Sequence, residues 1–138
     1  MTISTRGWLR LAIPAEWDAV GDGIWTTPYG GHLSVSDVLR AREEISPETA
    51  VESHETWCDA HHLNSQQLRM EQFPNGLCVL RSFGETRSDE FLMVAHLWHR
   101  TRLSLLVFRA PLEKLSDHDL AAILNAILEA KPLEGADP

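Results

Sequence analysis

Apolar and polar or small residues alternate from Trp8 to Ile13, and the run stops at Pro14. This predicts a strand that ends in a turn. Asp22-Gly23 marks a turn between Val20 and Ile24, and a short strand follows over Ile24 to Thr27. After the Pro28-Tyr29-Gly30-Gly31 turn, alternation resumes over His32 to Ser36, with Leu33 and Val35 on one face. The period then changes. Ser46 can cap a helix and Pro47 suits its first position, so a helix is predicted from there to about Leu63, ending near Asn64. Extended segments follow at Gln66–Gln72, Leu77–Gly84, Phe91–Arg100 and Leu103–Ala110. The last two carry apolar residues on both faces, as central strands covered on each side do. The tight Thr101-Arg102 connection predicts that they pair as a hairpin.

The final helix has the sharpest local signature. Ser116 and Asp119 form a capping-box variant, flanked by Leu115 and Leu120 in the positions of a hydrophobic staple. Leu120, Ile123, Leu124, Ile127 and Leu128 make one apolar stripe, and Pro132 stops the helix. The predicted fold class is α+β, an antiparallel β-sheet sandwiched between two helices, because that layering buries both helix stripes and both faces of the central strands. No repeat or linker divides the chain, so residues 1–138 are predicted to be one domain, with a frayed tail over 131–138.

Composition narrows the function. Twelve basic and twenty acidic residues give a net charge of −8, which disfavours nucleic acid and anionic membrane surfaces. The two cysteines, Cys58 and Cys78, make no disulfide framework and read as small buried hydrophobes in a reducing compartment. The first ten residues lack the apolar core of a signal peptide, and the apolar runs are too short to span a bilayer. The expectation is a cytoplasmic protein.

Half of the negative surplus lies on one helix. Glu48, Glu52, Glu55 and Asp59 recur at spacings of four, three and four residues. At about 100° per residue they fall within roughly 60° of one another. Ala50, Val51, His54, Trp57, Cys58 and His61 lie on the opposite side and can face a core. Neighbouring like charges repel, so the stripe is either a solvated face or the docking surface for a basic partner. Five tryptophans are the other unusual feature. Trp8, Trp25 and Trp98 read as packing residues. Trp17, in a loop between Glu16 and Asp18, is predicted to be an exposed anchor for a protein partner.

The opening Trp8-x-Leu-x-Leu-x-Ile13-Pro14-x-x-Trp17, then Ile24-Trp25, and the order of elements resemble the PsbP-like fold. That fold includes the DcrB family, the type VI secretion Eag chaperones and a Ran-binding nuclear import factor. The resemblance implies a protein-binding module rather than an enzyme. Small acidic domains of this kind also look like immunity proteins of bacterial toxin systems.

Candidate chemistry is sparse. His54, Cys58 and His62 stand at i, i+4 and i+8, a spacing at which adjacent members can share a metal ion but all three cannot easily do so. His96 shares a strand face with Val94 and Trp98, which suits a core-edge histidine. Cys58 lacks a nucleophile signature, and Gly30-Gly31 is no phosphate loop. No catalytic residue and no cofactor is expected. The first reading is therefore a non-enzymatic cytoplasmic immunity protein that neutralises a basic toxin or secreted effector by occlusion, through Glu48, Glu52, Glu55, Asp59 and Trp17. The alternatives are an Eag-like secretion chaperone, which would be a homodimer with an apolar groove, and a small metal- or cysteine-dependent enzyme using His54, Cys58 and His62.

Overall fold

The computed structural model of the chain describes residues 2–6, 9–40, 43, 45–61, 69–73, 76–83 and 90–132. It is a mixed α+β fold of ten strands and two helices among those residues. β1 (Thr2–Arg6) and β2 (Leu9–Ile13) pair antiparallel, and the two-residue β10 (Lys131–Pro132) pairs with the other edge of β2. The larger sheet is antiparallel throughout. It contains β3 (Asp18–Gly21), β4 (Ile24–Thr26), β5 (His32–Arg40), β6 (Arg69–Phe73), β7 (Gly76–Phe83), β8 (Glu90–His99) and β9 (Arg102–Pro111) in the order β3-β4-β5-β9-β8-β7-β6.

Helix α1 (Pro47–Ala60) joins β5 to β6, and α2 (Asp117–Leu128) follows β9 after a single 3-10 turn at Leu112–Lys114. Both helices begin where the sequence places their caps. Ser46 Oγ accepts from Thr49 N at 3.2 Å, and Ser116 Oγ accepts from Asp119 N at 3.1 Å. Each bond satisfies one of the amides left without an intrahelical partner at a helix start.

Alternation along β8 separates two packing layers. Phe91, Met93, Ala95 and Leu97 join the main core with Leu9, Leu11 and Ile13 of β2 and with Ala122, Ile123 and Ile127 of α2. Val94 and Trp98 face the other way, packing with Cys58, Trp57, Ala50 and Val51 of α1. The large sheet thus has α1 on one face, and α2 with the small sheet on the other. This is why β8 is buried along almost its whole length.

Four expectations need correcting. The run ending at Ile13 is a strand, but it belongs to the small second sheet, whose other members carried no usable pattern. Lys131 and Pro132 do not fray; they pair with Arg10 and Leu9, and residues 133–138 lie outside the described residues. The tight connection is Arg100-Thr101, since His99 already pairs with Arg102, and Arg100 takes a left-handed backbone (φ 54°) there. The buried face of α2 is Asp119, Ala122, Ile123, Ala126 and Ile127, while Leu128 is exposed. Leu120 and Leu124 pack against the core beside Ile123 and Ile127, and the small side chains of Ala122 and Ala126 let the helix approach closely, so Leu128 alone of the predicted stripe points away.

Candidate functional site

Two surfaces of α1 carry the residues singled out by the sequence. The outer one is the carboxylate stripe. Glu48, Glu52, Glu55 and Asp59 are all exposed. The line Ala50, His54 and Cys58 on the other side is fully buried against the sheet. Glu48 lies in the first turn, where the helix dipole favours an anion, but the last turn has no basic residue and holds Asp59. The stripe therefore rests on a helix fixed from behind and gains no relief from the dipole at its C-terminal end.

Trp17 does not join this surface. It is only 6% exposed, and its ring stacks on Phe108 with centroids 6.2 Å apart and planes 17° apart. The expectation of an exposed anchor fails because the chain turns back at Pro14: Trp17 N donates to the Pro14 carbonyl at 3.1 Å, which folds the indole onto the sheet. Its neighbours Glu16 and Asp18 stay exposed, so the polarity of the loop gives no sign that the indole between them is buried.

The inner surface holds an arrangement that sequence spacing shows only in part. His54 is fully buried, with its Nε2 3.7 Å from the Cys58 Sγ. Its other ring nitrogen, Nδ1, lies 2.7 Å from Nδ1 of His96, which is 3% exposed. The two imidazoles meet edge to face, and the Trp57 ring sits edge-on to His96. Burial pulls the His96 imidazole down from 6.5 to about 4. At neutral pH, His96 is uncharged. The sequence located His96 beside Val94 and Trp98 correctly, but 42 residues separate it from His54. Only the packing of α1 over β8 reveals the pair.

The geometry does not suit one metal ion. Two nitrogens bound to a tetrahedral zinc stand about 3.3 Å apart, whereas 2.7 Å is a direct hydrogen bond. Cys58 and His96 also approach opposite nitrogens of the His54 ring, so a single ion cannot reach all three. Among the described residues no cluster of three or more His, Cys, Asp or Glu could hold a metal. His62 lies outside the described residues. His61, expected on the core side, is exposed; it stacks on Trp57 at 3.8 Å, and its Nδ1 lies 2.8 Å from the Trp57 carbonyl.

A shallow cleft of about 170 Å³ lies elsewhere, between Pro14–Glu16 and α2. His118 Nε2 and Glu16 Oε1 meet beside it at 3.1 Å, both well exposed. Neither His54 nor Cys58 lines it. No helix among the described residues is long and apolar enough to cross a membrane.

No protein-family model and no curated protein matches the chain. Among solved structures, a crystal structure of a protein from Bacteroides thetaiotaomicron VPI-5482 is similar, with a TM-score of 0.57 at 11% identity. The match covers 94% of this chain and 47% of the other, so this chain spans about half the length of that protein. The likeness is one of fold.

Proposed function

We propose that this chain is a non-enzymatic protein-binding module whose outer α1 surface receives a basic protein partner. One observation carries the reading. Four carboxylates within twelve residues are exposed together on a helix whose opposite side is packed on the sheet. Such a surface is preformed and strongly negative, which speeds capture of a cation-rich partner. An immunity protein that occludes a toxin or secreted effector, resident in the cytoplasm, is the biological role that suits it. The placement of α1 and α2 on opposite sheet faces supports the PsbP-like assignment. The chaperone alternative draws less support, because the large exposed apolar side chains among the described residues, Val20, Tyr29 and Leu128, are scattered through the sequence. The enzyme alternative draws none from Cys58 and His54, which are fully buried.

The experiment compares the natural chain with a Glu52→Lys/Glu55→Lys variant as bait in its native cells at low salt. The expected result is a basic protein retained by the natural chain and lost by the variant. With that protein purified, association of the variant should be about tenfold slower and less salt-dependent. Equal retention and equal rates would remove the stripe from the interface.

A further inference from the structure

The cleft between Pro14–Glu16 and α2 has polar groups at its two ends and small apolar side chains between them. Pro14 to Trp17 is a tight turn, closed by Trp17 N donating to the Pro14 carbonyl at 3.1 Å. The buried Trp17 indole, stacked on Phe108, anchors that turn, so Glu16 is held in place beside the cleft. On the facing helix, His118 and Asn125 stand two turns apart, about 10 Å along the axis and nearly in line. Ala121 and Ala122 fall between them. Pro14 and Ala122 are buried and give the cleft its apolar surface. Its volume of about 170 Å³ is comparable with the roughly 150 Å³ that accommodates benzene in a protein interior.

The Glu16 end keeps acceptor capacity to spare. His118 Nε2 lies 3.1 Å from Glu16 Oε1. With one ring proton, His118 donates Nε2–H to that oxygen and leaves the carboxylate its charge. Among the described residues, this is the one polar interaction of the Glu16 side chain, and a carboxylate can accept about four hydrogen bonds. The exposed Asn125 amide, at the other end, both donates and accepts. The positive end of the α2 dipole works against a cation here, and Asp117 and Asp119 in the same turn offset it. The net charge of −8 favours a cation over an anion.

We propose that this cleft binds a primary ammonium group on an alkyl stem, as carried by a lysine side chain or a free diamine. The ammonium meets Glu16, the methylenes lie against Pro14, Ala121 and Ala122, and a polar group at the far end of the stem meets Asn125. A four-methylene stem is about 6 Å long, and with a hydrogen bond of about 3 Å at each end it covers the distance between the polar groups. The site lies on the sheet face opposite α1, so it goes beyond the partner-binding reading and stands without it.

An NMR titration of the whole chain at pH 8, with ionic strength held low and constant, tests it with butylammonium, methylammonium and butanol. Butylammonium should give saturable shifts at Glu16, His118, Ala121 and Asn125, with a Kd on the order of 10 mM. Methylammonium lacks the stem and butanol lacks the charge, so each should bind at least about threefold more weakly. Glu16→Gln, a change at an exposed turn residue, should weaken butylammonium by about threefold or more. Glu52→Lys/Glu55→Lys should leave it unchanged, which separates this site from the α1 stripe. Two longer probes distinguish the sources. Acetyl-lysine N-methylamide brings a peptide amide to Asn125, and 1,5-diaminopentane brings a second ammonium. The tighter of the two identifies the source, and Asn125→Ala should remove its advantage over butylammonium. Shifts that do not saturate or that centre on α1, equal binding of methylammonium, an unaffected Glu16→Gln variant, or no gain from either longer probe would each overturn the proposal.

Discussion

At the residue scale, Gly31 is held by its neighbours. Its N–H donates to the buried Thr27 hydroxyl at 2.9 Å, and its carbonyl accepts from Thr27 N at 2.9 Å. A Cβ there would stand 2.8 Å from the Thr27 Oγ1 and 3.0 Å from the Phe108 ring. Phe108 cannot yield easily, since it is buried between Trp17 and Phe91. Gly31→Ala should therefore cost about 1–3 kcal/mol, the usual penalty of overpacking, and lower the urea midpoint without changing its slope. The sequence marked this stretch as a turn but could not show that the second glycine touches Phe108, which lies 77 positions away in the chain by their numbering. The burial of Trp17 is hidden from the local sequence for the same reason. Its flanking acids are a local signal of exposure, whereas its burial depends on a ring in a distant strand.

At the element scale, the features that could be read early are those set by residues within one turn. Ser46 and Ser116 cap the helices as their spacing predicts. Strands β8 and β9 carry apolar residues on both faces and are covered on both. Strands β1 and β3 are not predicted by the sequence pattern. The four residues of β3 are all exposed, so burial imposes no alternation on them. The α2 cap gives a direct test. Ser116→Ala removes the acceptor for Asp119 N and should cost about 1 kcal/mol, a fall in Tm of roughly 2–5 °C by differential scanning calorimetry. Asp119 is itself buried, so the loss falls on a turn that the core holds in place rather than on a fraying end. His54 and Cys58 belong to this scale as well. Their i, i+4 spacing was visible, but the ring that completes the group comes from another element.

At the scale of the whole molecule, the net charge of −8 is unevenly spread, with four of the acidic residues on one side of α1. Glu52 lies four residues from Glu48 and three from Glu55, so it takes part in two repulsive contacts between neighbouring turns. Glu52→Lys converts both to attraction. Each conversion is worth a few tenths of a kcal/mol twice over, so the variant should be more stable by about 1 kcal/mol in low salt. The gain should shrink in 1 M salt, where exposed charges are screened within about 3 Å. Urea unfolding at the two ionic strengths measures both numbers. The sign matters for the functional reading. On the proposed reading, a stripe kept for a basic partner weakens the fold that carries it, so the substitution expected to slow partner capture is also the one expected to strengthen the helix. A Glu52→Lys protein that loses stability in low salt would mean that this carboxylate is already engaged within the chain, and the outer face of α1 would no longer be a surface held ready for a partner.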